Sequence, residues 1–312
     1  MSVVGINRIT YSTDRTDDAR RFYADWGLTP LGNDVWETLD GAQVQVVAPD
    51  APYLPPAFEP GPTLRQVQWA VSSAQALREF ANVLPLSTLE NGVLTALDPH
   101  GLSIQFALDA RRKVDVKGSV FNPYGREGRI DAPSPVYERA TPIEIGHVVL
   151  FTDRLAEAEA FYAKLGFVVS DRYPGRGVFM RGAPEGGHHD LFMLQLPNKP
   201  AGLNHVAFIV RDIHEVFGGG LAMSRCGWKT QLGPGRHPIS SAYFWYFENP
   251  CGGLIEYNAD EDHLTEKWQP REFTPGPTMF AEWAIDGGID GHTRRQPSVA
   301  QSGAFLTEKR GR

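Results

Sequence analysis

The spacing of apolar residues in the C-terminal half of the chain predicts strands and helices in alternation. A short run rich in β-branched residues at 145–151 predicts a strand. Apolar residues then recur at helical spacing from Leu155 to Leu165, and Gly166 marks the end of that helix. Asp212 is a typical N-cap for a second helix. Further short apolar runs predict strands at 177–181, 190–196, 203–210, 242–247 and 253–257. One strand, one helix and three strands form a βαβββ module. A second helix and more strands follow, so we interpret this half as two such modules.

The same pattern occurs earlier in the chain, so the sequence contains an internal repeat. Segments that begin at residues 6, 22 and 64 match segments that begin at 145, 161 and 203, each 139 residues later. A fourth pair, 98–105 and 249–256, shares a turn with Pro and Gly. A repeat of this length predicts two homologous domains. We therefore predict an α+β fold of tandem βαβββ modules, in which each domain has a curved, partly open mixed sheet.

The repeat also predicts domain boundaries. Residues 1–110 form the first domain, and residues 143–260 form the second. The segment 111–142 is rich in Pro, Gly and charged residues, so we interpret it as a linker. The tail at 261–312 is expected to pack on the second domain and to be loose after Gly291. The tail contains several aromatic residues, but these alone do not decide whether it covers a ligand pocket.

The two copies differ at three equivalent positions, and the difference concerns metal binding. The first copy carries Arg8, Gln66 and Gln105. The second copy carries His147, His205 and Glu256. Two imidazoles and one carboxylate with open coordination positions favour non-haem Fe(II), with Mn(II) as the alternative. Each residue alone is more often a core histidine or a solvated strand end, but the joint placement favours a metal site in the second domain and a metal-free first domain.

The second copy also has additional residues between the second and the third of these positions. The separation is 39 residues in the first copy, from Gln66 to Gln105, and 51 in the second, from His205 to Glu256. The extra stretch includes 233–237, which we predict to be a loop forming a wall of the active site.

Composition and charge narrow the class of protein. The chain has 312 residues and a net charge of −7, which disfavours nucleic acid as a partner. No apolar run approaches 18 residues, so no membrane span is expected, and no signal peptide is recognised at the N-terminus. The two cysteines, Cys226 and Cys251, form no Cys-x-x-Cys pair, which indicates a reducing compartment. The expected location is the cytoplasm.

The stretch from His237 to Glu256 resembles the signature of the type I extradiol ring-cleavage dioxygenases, which belong to the vicinal oxygen chelate superfamily. That signature has a His, a spacer, an apolar residue followed by Tyr, an Asn/Asp/Thr-Pro-x-Gly turn and a final Glu. Here the turn is at 249–252, and Trp245 stands where the family usually has an aliphatic residue or Phe. The resemblance covers residues 5–260 in round figures. It implies two domains of two βαβββ modules each, with iron in the C-terminal one.

The resemblance also implies roles for individual residues. It implies three iron ligands: His147, His205 and Glu256. His189 matches the family's acid/base histidine, although its neighbour His188 is the competing choice. His237 and Tyr246 match residues that hydrogen-bond the substrate oxygens and dioxygen. A histidine suits proton transfer because its ordinary pKa lies near the working pH.

These features together predict an Fe(II)-dependent extradiol dioxygenase. It would cleave a catechol-type or trihydroxylated ring with dioxygen, in the breakdown of aromatic compounds. Its expected partners are a catecholic small molecule and dioxygen, and the resemblance implies a homo-oligomer, with a tetramer favoured. The identity of the diol and the choice between iron and manganese stay open.

Three rival classes share parts of this pattern. The 4-hydroxyphenylpyruvate dioxygenase type has the same ligand set but uses a 2-oxo acid, and His189, His237 and Tyr246 disfavour it. An isomerase or lyase of the glyoxalase type, with Zn or Ni, usually spreads its ligands in a different pattern. A binding protein of the bleomycin-resistance type is one repeat long and needs no metal triad.

Overall fold

The computed structural model describes residues 2–287. Residues 2–142 contain helices α1 (Thr16–Trp26) and α2 (Ala74–Val83) and strands β1 (Val3–Ser12), β2 (Thr29–Gly32), β3 (Val35–Glu37), β4 (Gln43–Val47), β5 (Thr63–Val71), β6 (Thr88–Glu90), β7 (Val93–Leu97) and β8 (Ser103–Leu108). Residues 143–287 contain helices α3 (Leu155–Lys164), α4 (Ile213–Arg225) and α5 (Pro277–Phe280) and strands β9 (Glu144–Phe151), β10 (Val168–Tyr173), β11 (Gly177–Arg181), β12 (Gly186–Gly187), β13 (Leu191–Leu194), β14 (Gly202–Ile209), β15 (Thr230–Arg236), β16 (Tyr243–Glu248), β17 (Leu254–Ala259), β18 (His263–Leu264), β19 (Arg271–Glu272) and β20 (Trp283–Gly287). In the described part of the chain, no helix combines the length and the apolar character that crossing a membrane requires.

The two halves share one sheet topology, which confirms the predicted α+β fold. The first sheet has the strand order β2-β3-β4-β1-β5-β8-β7-β6. Eight strands of the second sheet follow the equivalent order β10-β11-β13-β9-β14-β17-β16-β15. The register agrees as well, because His147 lies opposite Ala207 just as Arg8 lies opposite Gln68. The sequence repeat therefore corresponds to a repeat in three dimensions.

Local signals position several of these elements. The Asp212 side chain accepts a hydrogen bond from the backbone N–H of His214 and begins α4, as predicted. The predicted loop at 233–237 is wrong for residues 233–236, which form part of β15. These residues pair with β16 on one side and with β20 on the other. The local Gly-Pro-Gly pattern opposes a strand, but the distant strand β20 supplies the second partner.

The two halves pack against each other through equivalent contacts. Tyr23 of α1 reaches Asn249 in the turn before β17, with 3.4 Å between the hydroxyl and the amide oxygen. Tyr162 of α3 reaches Asp98 in the equivalent turn of the first half, at 3.3 Å. Trp26 also stacks on Tyr257 with ring centroids 3.6 Å apart. These buried contacts hold the second sheet, and hence its site, against the first half.

The turn glycines offer a matched test of this interface. Gly252 and Gly101 both have positive φ, at 95° and 86°. A Cβ on Gly252 would overlap the carbonyl oxygen of Pro62, whereas a Cβ on Gly101 would meet nothing within 4 Å. At either site the left-handed conformation destabilises an alanine by about 1–2 kcal/mol. We expect Gly252→Ala to lower the free energy of unfolding by a further ~1–3 kcal/mol, because it overpacks the contact with the first half. Urea unfolding of both variants measures this difference, and equal losses would contradict it.

The described part of the tail lies along both edges of the second sheet. Strand β19 pairs with β10, and β20 pairs with β15. The first sheet ends at Leu108 and the second begins at Glu144, and the domain boundaries set out above stay a prediction. The expected loose end after Gly291 lies outside the described residues.

Candidate metal centre and active site

Three buried side chains converge on one face of the second sheet. The Nε2 atoms of His147 and His205 are 3.3 Å apart. The Oε2 atom of Glu256 lies 3.2 Å from the first and 3.1 Å from the second. The residues are distant in sequence but lie on the neighbouring strands β9, β14 and β17, where Ala207 pairs with both His147 and Glu256. The sheet therefore brings together the three residues predicted as ligands.

The geometry of these three atoms fits a divalent metal ion. Metal–ligand bonds of about 2.1 Å at right angles separate neighbouring ligand atoms by about 3.0 Å, close to the spacing found here. Asn204 accepts a hydrogen bond from Nδ1 of His205 at 2.9 Å, so Nε2 of the neutral ring points its lone pair at Glu256. Within residues 2–287, Oε2 of Glu256 has no hydrogen-bond partner. A divalent cation between these two atoms would accept an electron pair from each of them.

The protonation states around this cluster also suit a metal. Burial lowers the pKa of His205, which favours the neutral form that binds metals. Burial raises the pKa of Glu256, but the facing rings of His147, His205 and His237 outweigh this and hold it well below its usual value. The cluster therefore offers a neutral imidazole at His205 and a carboxylate at Glu256, next to the imidazole of His147.

Asn204 gives a testable consequence of this arrangement. Its side-chain oxygen fixes the ring orientation of His205, and groups of this kind contribute to metal affinity. We expect Asn204→Ala to weaken metal binding by about 10–100-fold without unfolding the protein. Metal titration against a competing chelator measures the effect, with Gln75→Ala on the exposed face of α2 as the control variant. Unchanged affinity in Asn204→Ala would contradict the orienting role.

The two adjacent histidines face different surroundings. The ring of His189 lies 4.0 Å from the ring of His147, centroid to centroid, and lines the cavity over the metal cluster. His188 is fully buried, and its Nε2 lies 2.9 Å from Asp171. Asp171 also accepts hydrogen bonds from Arg271 of the tail. Burial lowers the pKa of His189 well below its usual value, and the neighbouring imidazoles add to this. The imidazole of His189 is thus neutral and lies beside His147, whereas His188 belongs to a buried polar network behind it.

His237 and Tyr246 form a hydrogen-bonded pair on the other side of the cluster. The Nδ1 atom of His237 lies 2.7 Å from the carbonyl oxygen of Phe280, which can only accept, so Nδ1 donates. In the neutral ring, Nε2 then accepts from the hydroxyl of Tyr246 at 3.0 Å. Burial raises the pKa of Tyr246 well above its usual value, so the phenol keeps its proton. Tyr246 lies directly opposite Glu256 in the sheet register, which places the pair beside the cluster.

The structure also places residues at the site that the sequence analysis missed. The ligating atoms of Glu261, His147 and His189 all lie within 4.8 Å of one another. Burial raises the pKa of the Glu261 carboxyl well above its usual value. Phe280 orients His237 through its backbone. Glu261 and Phe280 lie after the motif at 237–256, and no local sequence pattern marks them as site residues. Asn204 could have been found, because it directly precedes a predicted ligand.

The equivalent positions in the first half are occupied by other interactions. Gln66 donates to Ser103 at 2.8 Å, and Arg8 donates to Gln43 at 3.0 Å. Gln105 accepts from Gln68 at 2.9 Å. In residues 2–142 the structure places no group of three metal-ligating side chains together. The three equivalent positions of the first half are therefore occupied by hydrogen-bonded polar side chains.

A cavity of about 680 Å³ covers the cluster. Four imidazoles and one phenol line its inner end: His147, His189, His205, His237 and Tyr246. Apolar side chains from β9, β11 and β13 form much of its wall. A cavity of this size accepts ligands larger than a single ring.

Residues 144–257 match the family model described as the glyoxalase/bleomycin resistance protein/dioxygenase superfamily. The second half of the chain is therefore similar to this superfamily. The match spans β9 to β17, so it contains all three predicted ligands and the other predicted site residues of the second half. The resemblance to this superfamily, predicted from the motif at 237–256, is confirmed by this match.

Individual relatives and solved structures extend the comparison beyond residues 144–257. Metapyrocatechase 2 from Cupriavidus necator is 31% identical over 195 residues, which cover 61% of this chain and 59% of that protein. The chain therefore spans less than two thirds of that relative. The Mn(II)-bound glyoxalase from Novosphingobium aromaticivorans superposes with a TM-score of 0.73 at 24% identity, over 95% of this chain and 96% of that one. Homoprotocatechuate 2,3-dioxygenase from Arthrobacter globiformis superposes with a TM-score of 0.68 at 17% identity, over 93% of this chain and 90% of that one. The two solved structures show that the two-domain fold is shared.

Proposed function

We propose that this protein is an Fe(II)-dependent extradiol dioxygenase that cleaves a catechol-type or trihydroxylated ring. The proposal rests on the side chains that surround the cluster of His147, His205 and Glu256. A histidine lies on one side of it and a His–Tyr pair on the other, all within one cavity. The relative at 31% identity is a metapyrocatechase, a catechol-cleaving enzyme by its name, which supports the same reaction.

The metal would be held by His147, His205 and Glu256, which leaves coordination positions for other ligands. Fe(II) in such a site would hold both reactants and transfer electron density from the diol to dioxygen. Two histidines and one carboxylate with open positions are typical of non-haem Fe(II) oxygenases, and Mn(II) accepts the same ligands.

The surrounding residues would bind the diol and handle its protons. His189 is neutral and close to His147, so it can take a proton from a diol hydroxyl and return it to the product. Tyr246 donates to His237, so the lone pairs of its oxygen are available to accept from the second hydroxyl. The apolar wall limits access of water, which strengthens these polar contacts.

The proposed reaction balances without a further reactant. The ring carbon–carbon bond next to the diol breaks. One atom of dioxygen joins a diol oxygen in the new carboxylate, and the other atom becomes the aldehyde oxygen. The diol supplies all the electrons, so neither an external reductant nor a 2-oxo acid is needed.

Oxygen consumption tests the proposal. Protein loaded anaerobically with Fe(II) is mixed with catechols and trihydroxybenzenes, while an oxygen electrode and visible absorbance are followed together. We expect stoichiometric oxygen uptake and a yellow product with at least one diol. Stoichiometric metal without oxygen uptake on any diol would overturn the proposal and favour an isomerase or lyase of the glyoxalase type, a class named in one of the structural neighbours.

The homo-oligomer, with a tetramer favoured, and the cytoplasmic location stay predictions. Light scattering coupled to size exclusion would measure the first, and fractionation of the source cells the second.

A further inference from the structure

The cavity over the metal cluster has two chemically different ends. The inner end is lined by histidines, among them His147 on β9 and His189 just before β13. At the outer end, Phe151 and Leu194 pair at the far ends of the same two strands. Four residues of extended strand separate His147 from Phe151, which is about 13 Å. A diol ring held at the cluster would therefore leave the outer part of the cavity empty.

Apolar side chains occupy the distance between the two ends. Val149 lies between His147 and Phe151 on the same face of β9, opposite Phe192 of β13. The rings of Phe179 and Phe192 stack with centroids 3.8 Å apart and an interplanar angle of 1°. This surface suits an apolar or aromatic group that is attached to the diol ring and extends outward.

Two cations stand at the outer end. The Nζ atom of Lys199 lies 4.5 Å from the ring centroid of Phe151. Arg176 directly precedes Gly177, which pairs with Leu194. Both cations line the cavity, and neither forms an ion pair within residues 2–287. None of the cavity-lining residues in that range is an aspartate or glutamate.

We propose that the natural substrate is a catechol with an apolar arm that ends in a carboxylate, and that Arg176 and Lys199 bind this carboxylate at the mouth of the cavity. The diol end of this inference rests on the proposed dioxygenase function, whereas the anion site rests on the two cations themselves. The chain has a net charge of −7. Two cations that have no ion pair in residues 2–287, at a cavity whose lining residues in that range include no Asp or Glu, select for an anion.

Binding to the metal-free protein tests the anion site without catalysis. Calorimetry compares 6-phenylhexanoate with the uncharged 6-phenylhexanol at low ionic strength. Each exposed ion pair contributes up to about fivefold in affinity, so we expect the carboxylate to bind about tenfold more tightly. In the double variant Arg176→Gln/Lys199→Gln this preference falls to about one. Lys164→Gln, which changes an exposed lysine at the end of α3, keeps it. Equal binding of the two probes to the unmodified protein would overturn the anion site.

Turnover then tests whether the site serves catalysis. Catechols with carboxyalkyl arms of increasing length are compared with their methyl esters on Fe(II)-loaded protein. We expect kcat/KM for the carboxylate to exceed that for the ester about tenfold once the arm reaches the cations, and to lose this advantage in the double variant. Turnover without any carboxylate preference would overturn the substrate inference while leaving the dioxygenase proposal intact. A binding preference without turnover of any diol would overturn the proposed function, and with it the diol end, while the anion site would stand.

Discussion

Glu256→Ala is expected to abolish metal binding and ring cleavage together. The carboxylate supplies the negative charge of the cluster, and its Oε2 lies within 3.2 Å of both imidazole nitrogens. Replacing groups that merely orient ligands costs about 10–100-fold in metal affinity, so removal of a ligand should cost more than about 100-fold. Metal analysis after dialysis and oxygen uptake with the best diol measure the two effects.

The first half of the chain contains the matched control for this variant. Gln105 occupies the equivalent strand position, where its amide meets Gln68 and Thr95. Gln105→Ala is expected to keep stoichiometric metal and full activity, because the cluster lies in the other half. Normal metal content in Glu256→Ala, or loss of metal in Gln105→Ala, would contradict the assignment of the site.

His189→Gln is expected to lower kcat by about 10²–10⁴-fold while the metal stays bound. The glutamine side chain can still hydrogen-bond but cannot take up and return a proton at neutral pH. Because His189 contacts the ring of His147 without belonging to the His147–His205–Glu256 cluster, metal content should not change. Single-turnover kinetics together with metal analysis separate the two quantities.

Variants of two further histidines serve as comparisons for that experiment. His263 is exposed in β18, and His263→Gln should have no effect on kcat. His188→Gln breaks the contact to Asp171 and is expected to have a smaller effect than His189→Gln. A loss of kcat in His188→Gln with none in His189→Gln would transfer the acid/base role to His188.

The convergence of His147, His205 and Glu256 could be predicted from sequence because the repeat provides an internal comparison. His147, His205 and Glu256 lie at positions where the first half has Arg8, Gln66 and Gln105, and the shared register puts all three on adjacent strands. A single histidine in a strand would have carried little information. The comparison of two copies within one chain replaced the comparison of many chains.

Contributions from the tail could not be predicted in the same way. The carbonyl of Phe280 fixes the orientation of His237 from 43 residues away. Arg271 reaches Asp171 over 100 residues, and β20 turns 233–236 into a strand. Backbone carbonyls, long-range ion pairs and added edge strands leave no local pattern, and the tail has no counterpart in the first half.

The central claim, ring opening beside the diol by dioxygen, is tested most directly with ¹⁸O₂. Fe(II)-loaded protein is given its best diol under labelled dioxygen, and the aldehyde is reduced at once with borohydride to prevent exchange with water. Mass spectrometry is expected to find both labelled oxygen atoms in one ring-opened product, cleaved between a hydroxylated ring carbon and its non-hydroxylated neighbour. Cleavage between the two hydroxylated carbons, a single labelled atom, or no label in the product would contradict this account.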